Sequence, residues 1–140
     1  MSQIVKLKNL SIPQQVLIPM KTNTALDSFI SDRGGLLPSC IYVIVGGAGS
    51  GKTSWSIDTL HKLQTNNPTK KFLYISGEQD EIDNYELSEK LPGLKDLSTL
   101  YLAGCENPKE VITEVFNQGW DTVLIDSLEI IAKRIESTTS

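Results

Sequence analysis

Pro38-Ser39-Cys40-Ile41-Tyr42-Val43-Ile44-Val45 runs directly into Gly46-Gly47-Ala48-Gly49-Ser50-Gly51-Lys52-Thr53, and the reading of this stretch decides the fold. Ile41 to Val45 is a continuous, largely β-branched apolar run, which predicts a strand covered on both faces, as in a parallel sheet. Downstream, Ile57, Leu60 and Leu63 recur at helical spacing until Asn66-Asn67-Pro68 breaks the pattern. The segment from Gly46 to Thr53 fits G-x-x-x-x-G-K-[ST] between that strand and that helix. Glycines let the backbone curl so that successive N–H groups point inward around an anion. The helix beginning near Gly51 adds its positive end to the same spot. Lys52 is then expected to reach the β- and γ-phosphates of a nucleotide, and the Thr53 hydroxyl to ligate Mg²⁺. Gly46, Gly47, Ala48, Gly49, Ser50, Gly51, Lys52, Thr53 and Ser54 are the expected ATP-binding residues. A glycine-rich turn that matches by accident is the alternative, and should arise in roughly one chain of this length in a few hundred.

Beyond this segment the pattern continues. Phe72-Leu73-Tyr74-Ile75-Ser76 reads as a second buried strand, and Ile82, Tyr85, Leu87 and Leu91 as a helix ending at Pro92-Gly93. Thr99 to Leu102 reads as a short third strand. Asn107-Pro108-Lys109-Glu110 has the form of a helix start, with a capping Asn, Pro at the first helical position and Glu three residues after the cap. Val111, Ile112, Val115 and Phe116 form its apolar stripe, and Gly119 ends it. Thr122 to Asp126 is the fourth strand, and Leu128, Ile131 and Ile135 mark a last helix. Before the phosphate-loop segment only Leu26, Phe29 and Ile30 suggest a helical turn. Strands alternating with helices predict an α/β fold, a parallel sheet with flanking helices.

Two carboxylates fall at predicted strand ends, the rim where ligands of open α/β sheets bind. Asp126 there can hold the Mg²⁺ shell, the Walker B role; the alternative is a side-chain cap on the following helix. Glu78, in Ser76-Gly77-Glu78-Gln79, can polarise an attacking water as general base; by itself it reads equally as part of a solvated acidic turn with Asp80, Glu81 and Asp83.

Composition sets the outer limits. The chain has 140 residues, 39% hydrophobic and 21% charged, with 13 Lys plus Arg against 17 Asp plus Glu and a net charge of −4. A chain of this size buries roughly 70% of its unfolded surface, enough for one core. A mildly acidic balance argues against a broad nucleic-acid-coating face. Cys40 and Cys105 are too few and too far apart for a disulfide framework or zinc site, and His61 is the single histidine. No apolar run approaches the ~20 residues of a membrane span, so a cytoplasmic protein is expected. Trp55 and Tyr42 are expected to pack between helix and sheet, and His61 to sit on an exposed helix face. Lys70-Lys71 and Lys133-Arg134 are expected to be solvated surface pairs.

Taken together, Leu26-Asp27-Ser28-Phe29, Gly34-Gly35-Leu36-Leu37-Pro38, the Gly46–Thr53 loop, Leu73-Tyr74-Ile75-Ser76-Gly77-Glu78 and Val123-Leu124-Ile125-Asp126-Ser127 resemble the RecA-like ATPases, in particular the RadA (Sms) and DnaB-helicase branches. Ser39 stands where that family often has Gly, and Glu129 where the RadA branch usually has Gln. The resemblance implies a RecA-like P-loop core over residues 25–140, preceded by a lead segment over 1–24. It implies Glu78 and Lys52 as catalytic residues and Thr53 and Asp126 at the metal. ATP and Mg²⁺ follow as cofactors, and a homo-oligomeric ring or filament working on DNA in recombination, repair or replication as the setting.

The resemblance also implies a later strand between the phosphate-loop strand and the Walker B strand. The chain is therefore expected to be the N-terminal part of a longer ATPase, with DNA contacts and an arginine finger in regions absent here, or else to have the gap filled by a partner segment. Whether the 140 residues turn over ATP by themselves stays open. The alternatives are a P-loop kinase for a small acceptor, for which arginine-rich lid segments are missing, and a nucleotide-binding fragment without turnover.

Overall fold

The structure is a computed structural model, and it describes residues 4–47, 49–77 and 80–138. The chain divides into two compact units, Met1–Tyr42 and Val43–Ser140. In the first, the short helix α1 (Leu26–Ile30) follows two 3-10 turns, Leu7–Asn9 and Gln14–Leu17. Met20 and Leu36 form an isolated antiparallel bridge. Asp27 organises the turn before α1, accepting from the Thr22 N–H at 2.8 Å, the Thr22 hydroxyl at 2.7 Å and the Asn23 N–H at 2.9 Å. Desolvation pushes the Asp27 carboxyl up, but these donors, with the Thr24 N–H, outweigh it and hold it below the usual carboxylate range.

The second unit contains α2 (Lys52–Asn66), β1 (Phe72–Ser76), α3 (Glu81–Lys90), β2 (Ser98–Tyr101), α4 (Pro108–Phe116), β3 (Thr122–Asp126) and α5 (Leu128–Thr138). Pro92–Asp96 is a 3-10 turn between α3 and β2. Among the described residues the sheet is three-stranded, in the order β2-β1-β3, and both pairings are parallel. This is the expected α/β architecture: a parallel sheet with helices against it. The expected boundaries of β1 and β3 coincide with the observed ones.

Period-two alternation divides the sheet's two faces. Leu73 and Ile75 point one way, into a core with Leu102 and Ile131 against which Val123, Ile125, Val111 and Val115 pack. On this side α5 lies against β3 and α4 against α5. Phe72, Tyr74 and Ser76 alternate to the opposite face. Ile57, Leu60 and Leu63 form the buried stripe of α2, which packs against β1 and β3. Burying each of those side chains contributes about 1.5–3 kcal/mol relative to exposure.

The first expected strand does not form. Residues 41–47 carry no strand, and Ile41, Val43 and Val45 are 93%, 79% and 89% exposed. A strand needs a ladder partner for its N–H and C=O groups. The described sheet offers only the outer edges of β2 and β3, and Ile41–Val45 pairs with neither, so its backbone is left to water. The expectation that Tyr42 and Trp55 are packed between helix and sheet fails with it: they are 38% and 45% exposed, and the Tyr42 hydroxyl accepts from the Leu37 N–H at 2.9 Å. Asn107 makes no side-chain cap on α4, whereas Asp80 and Asp83 form a reciprocal capping box at the start of α3.

Candidate functional site

α2 starts immediately after the glycine-rich segment. Gly51, its N-cap, has φ 86° and Gly49 has φ 75°, left-handed values that a Cβ disfavours. Ser50 N–H donates to the Gly47 carbonyl at 3.2 Å, closing the turn. The first turn of α2 has no side-chain cap and no acidic residue. Its leading N–H groups therefore meet neither a protein oxygen supplied by a cap nor a competing carboxylate, the condition in which a helix start accepts an anion. The Lys52 ammonium reaches back over this turn and donates to the Gly46 carbonyl at 2.8 Å. Ser54 is exposed on the first turn of α2. Ala48 lies outside the described residues.

Asp126, the last residue of β3, pairs in register with Ser76, the last of β1. The Thr53 hydroxyl donates to Asp126 Oδ2 at 2.7 Å across 73 residues of sequence. The two residues expected at the metal thus touch each other, beside the loop whose lysine is expected at the phosphates. Gly77 N–H donates to the Asp126 carbonyl at 2.9 Å, which carries the parallel ladder one residue past the strand ends. Glu78 follows Gly77 and lies outside the described residues.

The donor set of Thr53 and Asp126 fits Mg²⁺. Both supply oxygen, the ligand type this hard cation prefers, and Mg²⁺ usually takes only one or two protein ligands and completes its shell with water and substrate phosphate oxygens. Among the described residues no group of three or more His, Cys, Asp or Glu side chains is placed to hold a metal alone.

Two residues at this rim were not singled out by sequence. Tyr74 is 1% exposed on the sheet face that Ser76 shares. Burial, and then the nearby Asp126 carboxylate, push its hydroxyl up to about 12, with a smaller push from Tyr101 and an opposing hydrogen bond with Ser76. Its position two residues before Ser76 is the signal that places it on that face. Arg134 of α5 donates from Nε to the Gly77 carbonyl at 2.6 Å and is partly buried, so it is not the solvated cation its sequence neighbourhood suggests. Lys133 does bridge to Glu129 at the surface, at 2.9 Å. Gly77 is required by close approach: a Cβ there would lie 2.7 Å from Ile131 Cγ1 of α5.

Elsewhere, Lys71 forms a local clasp, its ammonium 4.5 Å from the Trp120 ring centroid and 2.8 Å from the Gln118 carbonyl. His61 is half-buried rather than on an exposed face, with Nε2 3.5 Å from Asp96 Oδ2. Cys40 is exposed and Cys105 partly buried, and both are free thiols. Among the described residues no helix is long and apolar enough to cross a membrane. Comparison with family models, with curated proteins and with solved structures returns no match.

Proposed function

We propose that this chain binds MgATP at the Gly46–Thr53 loop and forms the nucleotide-binding part of a RecA-like ATPase. The observation that carries the reading is the 2.7 Å hydrogen bond from the Thr53 hydroxyl to Asp126. A chance glycine-rich turn gives no reason for the residue after its lysine to meet a strand-end carboxylate 73 positions away. A phosphate loop does, because the Mg²⁺ of the nucleotide takes the hydroxyl directly and the carboxylate holds its water shell.

In this reading the curled backbone and the start of α2 receive the β-phosphate, and Lys52 leaves the Gly46 carbonyl for the β- and γ-phosphate oxygens. Thr53 and Asp126 hold Mg²⁺, which neutralises charge on the phosphate oxygens when bound. Glu78, one residue beyond the Gly77–Asp126 hydrogen bond, orients the attacking water and takes its proton. Coupling to DNA recombination, repair or replication, and assembly into a ring or filament, rest on the family resemblance alone.

Calorimetric titration of the chain with MgATP tests the site. Lys52→Ala is expected to weaken binding by about 10- to 100-fold, the worth of a hydrogen bond to a charged group. Asp126→Asn is expected to reduce the dependence of binding on Mg²⁺. Absence of any saturable heat with the unsubstituted chain at millimolar MgATP would sink the proposal. The Glu78 role is separable: Glu78→Gln should keep MgATP binding and abolish whatever hydrolysis the parent shows. Equal hydrolysis with and without single-stranded DNA would remove the DNA part.

A further inference from the structure

On the far side of the central strand from Asp126, helix α3 hides the wrong kind of residue. Its buried positions are Asn84 and Ser88, while Ile82 and Tyr85 are 70% and 66% exposed. Asn84 is 3% exposed, and neither its side-chain nitrogen nor its side-chain oxygen has a hydrogen-bond partner. Burying an amide without partners is unfavourable, and native proteins rarely do so without a use for it. Asn84 lines a hollow of about 340 Å³ between α3, the Pro92–Asp96 turn and β2. Tyr85 and Ser88 from α3 and Thr99 and Tyr101 from β2 line it as well. Thr99 and Tyr101 share one face of β2, while Leu100 between them packs on the opposite, apolar core.

We propose that this hollow is a binding site for a nucleobase or its nucleoside, separate from the phosphate loop and independent of the function proposed for it. An Asn amide presents a donor beside an acceptor, the complement of the hydrogen-bonding edge of a base, and Asn pairs with adenine in this bidentate way. Two tyrosines at the same hollow supply aromatic surface for a planar ring. The volume lies at the low end for ligand pockets, room for one base with its sugar. Charge selects against phosphates: α3 carries Glu81, Asp83, Glu86 and Glu89 against Lys90 alone. Lys95, which also lines the hollow, is 3.6 Å from Glu89. The ligand is therefore an uncharged base or nucleoside rather than a nucleotide. β2 and β3 flank β1 on opposite sides, so the hollow and the Thr53–Asp126 pair sit across the central strand from each other.

The side-chain amide of Asn84 is itself a reporter. Titrating the ¹⁵N-labelled full chain with adenosine, cytidine or uridine should shift the Asn84 side-chain NH₂ signals saturably, together with backbone signals of Ser88 and Tyr101. Adenosine 5′-monophosphate should bind this hollow more weakly than adenosine. Asn84→Leu, close in shape and without polar atoms, should lower nucleoside affinity at least about tenfold. The same substitution should raise Tm by a few degrees, because it removes an unsatisfied buried amide. Three results would overturn the proposal. One is no saturable Asn84 shift with any of the nucleosides, the outcome if water alone fills the hollow. Another is nucleoside-induced shifts confined to Gly46–Thr53. The third is a lowered Tm for Asn84→Leu, which would mean that the amide already has partners. None of these results depends on whether MgATP binds the loop.

Discussion

Lys52, Thr53 and Asp126 are readable from sequence because their chemistry fixes their spacing. A loop that curls around an anion needs glycines at set positions, and a parallel strand delivers its last residue to the same rim as its neighbours. Tyr74 and Arg134 are not readable in that way. What matters about each is a partner distant in sequence, the Asp126 carboxylate and the Gly77 carbonyl. Tyr74 carries a pH prediction. Its hydroxyl is raised from 10.0 to about 12, so the folded state favours the neutral phenol. The stabilisation is fully present below pH about 10, the unfolded value, and is lost as pH rises through about 12. Phenolate absorbance followed against pH should show a late step that Tyr74→Phe removes; an unchanged profile in the variant would contradict the assignment. Gly77 carries a packing prediction. Gly77→Ala drives a methyl group into Ile131, and the resulting overpacking should destabilise the second unit by about 1–3 kcal/mol in urea unfolding.

Among the elements, β1 and β3 were legible end to end, since a short apolar run bounded by polar residues matches a strand buried in a sheet. Ile41–Val45 has the same composition and does not form a strand. Composition records a preference for being covered, while pairing depends on an edge elsewhere in the chain, and local sequence carries no information about that edge. The family resemblance calls for a further strand beside β3, and the described sheet ends at β3. Helix α3 was legible as a helix but not in its orientation. The stripe of Ile82, Tyr85 and Leu87 suggested an inward apolar face, and the structure turns Asn84 and Ser88 inward instead. Helix starts show the same limit. Asn107 has the expected form of a cap yet makes no side-chain cap bond, while Asp80 accepts from the Asp83 N–H at 2.9 Å. Asp80→Ala should therefore cost about 1 kcal/mol in urea unfolding, and Asn107→Ala should cost less. Equal losses would mean that both residues cap equally well in solution.

For the molecule as a whole, the division between Met1–Tyr42 and Val43–Ser140 matters more than the charge of −4. The division falls inside the apolar run expected to be the central strand. Residues 41–47 are all exposed and belong to no helix or strand, so no ladder or packed face protects that backbone. Exposure and extension are what a protease needs, because its active site takes a substrate segment that can leave its own fold. The side chains add a preference: thermolysin cuts ahead of bulky aliphatic residues, and Ile41, Val43, Ile44 and Val45 offer four such bonds in sequence. β1, by contrast, has five buried residues and neighbours on both sides. Brief thermolysin digestion should therefore cut first within residues 41–45, leaving a fragment that begins at Ile41, Val43, Ile44 or Val45 and retains Lys52, Thr53 and Asp126. Mass spectrometry of the early products decides the matter. First cuts inside β1 or β3, with the 41–45 bonds intact, would show that the run is covered in solution and that a partner strand supplies the ladder it lacks.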